Sequence, residues 1–129
     1  MQPTFSSQKP LFQSIAEWLE DAILTDIYKE GDQVPSITEI SMQYNLNPAT
    51  ALKGVNMLVD SGLLYKKRGM GMFVSEGARR KLMEHRQEQF YSDYILPMIR
   101  EAHRLQINSK SIQEMIERGT TDDHSDKQA

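Results

Sequence analysis

Residues 34–74 read VPSITEISMQYNLNPATALKGVNMLVDSGLLYKKRGMGMFV, and this stretch decides the fold. Ser36 followed three residues later by Glu39 has the spacing of a capping box, with Pro35 just outside it. Ile37 and Ile40, with Met42 or Tyr44, supply the apolar side of a short helix. A tight link through Asn45 and Leu46 leads to Asn47-Pro48. Asn is a strong N-cap, and Pro is favoured at the first helical position, so a second helix opens there. It runs from Ala49 to about Ser61 and closes at Gly62. Ala51, Val55, Leu58 and Val59 point inward, and Thr50, Lys53, Gly54 and Met57 fall mainly on another side. A mid-helix glycine costs up to about 1 kcal/mol against alanine, so Gly54 points to a close approach at its backbone. Leu63–Lys67 and Met72–Val74 then read as two short strands joined by Arg68-Gly69-Met70-Gly71, a glycine-containing hairpin.

Upstream, Leu11, Phe12, Ile15, Trp18, Leu19, Ala22, Ile23 and Ile27 recur at three- and four-residue steps, the mark of an amphipathic helix. Pro10 suits its first turn, and the Gly31-Asp32 turn ends the segment. Downstream, residues 78–105 are helical in pattern, and Pro97 predicts a kink or break close to Ile95 and Leu96. Asn108-Ser109 is a further cap signal. The last helix carries Ile112, Met115 and Ile116 and is expected to end at Gly119. Residues 120–129 have almost no apolar content and are expected to be disordered. The division expected is 1–76, 77–119 and a tail at 120–129.

The chain has 129 residues, 15 Lys plus Arg, 18 Asp plus Glu and no cysteine. Disulfides, iron–sulfur clusters and thiolate zinc sites are therefore excluded. The net charge of -3 argues against a whole-surface nucleic-acid coat. The charge is uneven, however. Residues 1–33 carry two basic and six acidic residues, whereas 34–75 carry four basic (Lys53, Lys66, Lys67, Arg68) and two acidic. Residues 76–89 add Arg79, Arg80, Lys81 and Arg86 against three acids. No apolar run reaches the roughly 20 residues that span a bilayer, and Met1–Lys9 carries no apolar signal stretch, so a cytoplasmic protein is expected. The histidines, His85, His103 and His124, are too scattered for a zinc site. No nucleophile–base arrangement and no glycine-rich phosphate loop is present, so neither an enzyme, a metal nor a cofactor is expected.

Helix, short helix, tight turn, longer helix and basic hairpin is the order of a winged helix-turn-helix, mainly α with a small β-hairpin. A helix fits the major groove, and its N-terminal turn offers backbone N–H groups and a positive dipole end to phosphates. Ala49 and Thr50 are short enough for close approach, and Lys53 lies one turn further on. Lys66, Lys67 and Arg68 sit at the hairpin, whose Gly69 and Gly71 let its tip lie against a phosphate backbone or minor groove.

Several segments together resemble the DNA-binding domain of GntR-family transcriptional regulators. They are Pro10–Ile15, Gly31–Ser36, Asn47–Lys53, Gly62–Tyr65 and Arg68–Val74, and they span about residues 8–75. The resemblance implies a sequence-specific DNA-binding regulator, with Ser36, Thr38, Asn47, Pro48, Ala49, Thr50 and Lys53 joining the wing at the DNA. The family usually carries Arg at the position of Thr38 and often Asn at that of Ala49. Those departures leave Ser36, Thr50 and Lys53 as the positions carried over and give the wing more weight.

The stretch 76–119 is short for the effector domains of most such proteins and looks like the YtrA subfamily. There the resemblance implies C-terminal helices that form a homodimer, through Phe90, Tyr94, Ile95, Met98, Ile99, Ile112, Met115 and Ile116. It also implies a repressor of a transporter or envelope-stress operon, acting at a palindromic operator. A small-molecule effector stays open. The acidic total and Thr38 keep a second reading alive, a winged-helix protein-interaction module that does not bind DNA.

Overall fold

The computed structural model describes residues 9–128, with side chains to residue 124. Its elements are α1 (Leu11–Leu24), α2 (Ile37–Tyr44), α3 (Pro48–Asp60), β1 (Leu64–Lys67), β2 (Gly71–Val74), α4 (Ala78–Phe90), a π-helical segment (Tyr91–Ile95), α5 (Leu96–Arg104) and α6 (Ser109–Gln128). The chain divides into two compact units, residues 1–86 and 87–129.

The first unit is the winged helix. Its core joins Ile15, Leu19 and Ile23 of α1 to Ile40 of α2, Ala51, Val55 and Leu58 of α3, and Leu64 and Val74 of the hairpin. Trp18 meets Tyr44 edge-on with ring centroids 5.2 Å apart, so Tyr44 and not Met42 completes the inner side of α2. Gly54 is buried toward α1, not on the outer face expected for it. A Cβ there would lie 2.8 Å from the Phe12 carbonyl and 2.9 Å from the Ile15 side chain. The α1–α3 crossing is therefore closer than any larger residue at 54 allows.

The ends of these helices follow local chemistry. Ser36 Oγ accepts from the Glu39 N–H at 3.0 Å, and Glu39 Oε1 accepts from the Ser36 N–H at 3.1 Å, which completes the capping box. Asn45 makes the tight turn with φ 53°. α3 ends in a Schellman motif: Gly62 has φ 81°, the Leu63 N–H donates to Leu58 O, and the Gly62 N–H donates to Val59 O. α1 stops earlier than the Gly31 turn. Asp26 takes the left-handed position at φ 63°, and the Ile27 N–H closes onto Ala22 O. An aspartate there gives no glycine signal to read.

β1 and β2 pair antiparallel, with Leu64 opposite Val74 and Lys67 opposite Gly71. Residues 31–34 extend this ribbon on the far side of β2. The Gly31 N–H donates to Val74 O, the Val34 N–H to Met72 O, and the Val74 N–H to Asp32 O. The boundary expected at 76/77 moves to 86/87 because Ala78 and Leu82 of α4 are buried in the winged-helix core.

Among the described residues of the second unit Ala102 is the buried apolar one, and Ile95, Leu96, Ile107 and Ile112 are half-buried. Phe90, Tyr91, Tyr94, Met98, Ile99, Leu105, Met115 and Ile116 are exposed. The expected break at Pro97 takes the form of the π-helical segment before it, where the Leu96 N–H reaches back five residues to Tyr91 O. Proline has no N–H to give and its ring crowds the carbonyl four residues back, and a widened turn relieves that conflict.

The last helix corrects the expected tail. It continues past Gly119 to Gln128, with the Thr120 hydroxyl donating to Ile116 O and the Thr121 hydroxyl to Glu117 O. Gly119 keeps an ordinary helical φ and does not take the left-handed turn that stops a helix. Low apolar content disfavours burial, and it does not forbid a solvated helix. Ala129 and residues 1–8 lie outside the described residues.

Candidate nucleic-acid interface

α3 presents Pro48, Ala49, Leu52, Lys53, Asn56 and Met57 outward, with Thr50 half-buried. Its N-terminus is less open than the sequence reading expects. Pro48 has no N–H, and Asn47 Oδ1 accepts the Ala49 N–H at 2.8 Å. The Thr50 N–H donates to Asn47 O at 3.0 Å. The turn therefore keeps its dipole, but its first amides are already partnered. Lys53 Nζ stands 4.0 Å from the centroid of the Phe12 ring. That cation–π contact ties α3 to α1 and holds the charge at the helix surface. Ser36 and Thr38 are exposed at the start of α2, with Ser36 committed to its cap.

The wing carries Lys66, Lys67 and Arg68, all exposed. Alternation along β1 puts Lys66 on the face of Leu64 and Lys67 on the face of Tyr65. The two lysines thus flank the ribbon. On the outer face Tyr65 stacks on Phe73 at 5.9 Å, and Lys67 Nζ lies 5.2 Å from the Phe73 centroid. Gly69 and Gly71 take φ 78° and 120°, conformations that other residues adopt only under strain.

One residue missed by sequence reasoning holds this tip. Gln33 bridges Phe73 through the backbone, and its Nε2 donates to Met70 O at 2.6 Å. A Cβ at position 71 would meet that Nε2 at 2.7 Å, so Gly71 leaves the room that the Gln33 amide occupies. The signal was available only as the proximity of residues 31–34 to the hairpin, which is a long-range pairing.

The basic residues of α4 prove to have other work. Arg79 Nε donates to Leu24 O at 3.0 Å, and Lys81 Nζ donates to Ser61 O at 2.6 Å. These bonds satisfy carbonyls at the C-terminal ends of α1 and α3. Arg86 pairs with Asp21 at 2.7 Å and Glu20 at 3.7 Å, and Arg80 pairs with Glu84. The acid of α1 is thus partly answered by the base of α4. Burial pushes the Glu20 carboxyl above its ordinary value, opposed by Arg86. By contrast, Lys53, Lys66, Lys67 and Arg68 take part in none of the ion pairs among the described residues. No group of three metal-ligating side chains occurs among the described residues. No helix among them is long and apolar enough to cross a membrane.

This arrangement has known counterparts. Residues 11–74 match the family described as bacterial regulatory proteins, gntR family. The chain is 27% identical over 116 residues to the HTH-type transcriptional repressor YtrA of Bacillus subtilis, covering 90% of this chain and 88% of that one. It is similar to the crystal structure of a GntR-family transcriptional regulator from Bacteroides thetaiotaomicron, at TM-score 0.71 and 28% identity, over 88% of this chain and 98% of the other. The winged-helix half is similar to the DNA-binding domain of AraR in complex with operator ORE1, at TM-score 0.51 and 26% identity, over 58% of this chain and 94% of that one. With the winged helix, its hairpin and these likenesses together, the chain belongs to the gntR family of bacterial regulatory proteins.

Proposed function

We propose that this protein is a homodimeric, cytoplasmic transcriptional repressor that binds a palindromic double-stranded DNA operator. α3 enters the major groove, with Pro48, Ala49, Thr50 and Lys53 at the base edges and adjoining phosphates. Ser36, Thr38 and Asn47 lie at the flanking backbone, and Lys66, Lys67, Arg68, Gly69 and Gly71 meet the DNA beside it. The observation that carries this reading is the distribution of charge. Among the described residues the cations of α3 and the wing are outside any ion pair, whereas Arg79, Arg80 and Arg86 of α4 are paired within the protein. Unpaired cations on one oriented surface are what phosphate binding requires.

Dimerisation rests on the second unit. That unit spans residues 87–129, and among its described residues little is buried, while Phe90, Tyr94, Met98, Ile99, Met115 and Ile116 stand exposed. A unit of that size does not bury a sufficient core alone, and a second copy would cover these residues together with the half-buried Ile95 and Ile112. The similar YtrA is by name a transcriptional repressor, which supports repression as the mode of action. A transporter or envelope-stress operon is the proposed target.

A mobility-shift titration with the DNA upstream of the protein's own coding region tests the reading. A discrete complex that weakens steeply with salt is expected. Absence of any shift at low salt would replace the regulator with a winged-helix protein-interaction module.

A further inference from the structure

The tip of the wing carries an apolar side chain where the surrounding residues are basic. Met70 is 60% exposed, follows Lys66, Lys67 and Arg68, and stands between two glycines. Nothing lies within 4 Å of where a Cβ at Gly69 would be. The tip is nonetheless held. The Met70 N–H donates to Lys67 O at 2.9 Å, and its carbonyl accepts from Gln33 Nε2 at 2.6 Å. Both backbone polar groups of Met70 are thus tied, while its side chain stays mostly exposed. What sets Met70 apart from an ordinary exposed methionine is that its backbone is fixed at both polar groups and its neighbours are cations, so the thioether is presented at a defined place beside basic residues.

Resting on the DNA-binding reading above, we infer that Met70 is an apolar wedge that the wing inserts into the operator's minor groove, and that Gln33 is the residue that positions it. The cations before it suit the phosphates on either side of a groove, and a narrow groove concentrates negative potential. Methionine is unbranched and polarisable, which fits it to slide against sugars and a partly opened base step. Apolar wedges of this kind unstack a step and bend the duplex away from the wedge. The two small neighbours let the tip descend, since a side chain at 69 or 71 would widen it. The Gln33 bond stops the three-residue loop from folding back when the side chain is pressed.

The test uses the full-length protein and a duplex recovered by selecting bound sequences from a random pool. Fluorescence anisotropy gives affinity and its salt dependence, and permuted-fragment gel mobility gives the bend. Met70→Ala is expected to weaken binding about fivefold to tenfold and to reduce the bend, with the slope of log affinity against log salt unchanged. Met70→Leu is expected to keep most of both. Gln33→Ala is expected to lose affinity and bend together while melting close to the parent protein, and combining it with Met70→Ala is expected to add little. Met70→Ala that binds and bends the duplex like the parent would overturn the wedge. A Gln33→Ala loss that persists in full on top of Met70→Ala would overturn the positioning role. If the parent selects no DNA, the regulator reading fails and the wedge goes with it. If the parent selects DNA and only the Met70 effect is missing, the wedge alone fails.

Discussion

At position 54 an added methyl group would meet the Phe12 carbonyl at 2.8 Å, and at position 119 it would meet nothing within 4 Å. The same substitution therefore has opposite signs. Gly54→Ala is expected to destabilise the winged helix by about 1–3 kcal/mol through overpacking at the α1–α3 crossing. Gly119→Ala is expected to raise helix stability by about 0.5–1 kcal/mol, the ordinary gain in an exposed helix. Urea titrations followed by circular dichroism measure both. Glu20 lies on α1, 3.7 Å from Arg86. Its carboxyl is held above the ordinary value by burial, so the folded state favours the protonated form. Its contribution to stability is then fully present below the unfolded value near 4.5 and is lost as pH rises through the raised folded one. Arg86 also pairs with Asp21, at 2.7 Å. Glu20→Gln is expected to raise the melting temperature slightly at pH 7, with the advantage shrinking as the pH falls toward 4.5.

Among the elements, the wing and α4 carry similar numbers of cations and use them differently. Lys67→Ala with Arg68→Ala is expected to lower the salt slope of DNA binding by about two units, one for each lost phosphate contact. Arg79→Ala with Arg80→Ala is expected to leave the slope unchanged, because Arg79 serves the end of α1 and Arg80 pairs along α4. Anisotropy titrations across a salt series decide this. The elements that could be read from the chain were those whose signals are local. Ser36 with Glu39, Asn47-Pro48, Gly62 and the Arg68–Gly71 hairpin each mark a boundary by nearby chemistry. What could not be read depends on distant partners. Gly54 faces inward because α1 crosses there, Gln33 matters because residues 31–34 join the ribbon, and the α4 cations find carbonyls in α1 and α3. Asp26 and Gln106, at φ 63° and 59°, end helices without the usual glycine. At the candidate site the residue types were legible, whereas the partnered amides of Asn47-Pro48-Ala49 were not.

For the molecule as a whole, the net charge of -3 is an arrangement and not an average. Acid on α1 meets base on α4 inside the first unit, and cations of α3 and the wing remain for a partner. The second unit supplies exposed apolar residues where the first supplies charge. Tyr94→Glu with Met98→Glu is expected to give a monomer by sedimentation equilibrium, with an intact far-ultraviolet spectrum and far weaker operator binding. A dimer of unchanged affinity would remove those residues from the seam. In the proposed dimer, two oriented heads read one symmetric site. Selection of bound sequences from a random DNA pool tests it most directly. An enriched palindrome whose half-sites lie about one helical turn apart is the expected result. Enrichment of a single asymmetric half-site, or of no sequence at all, would contradict it.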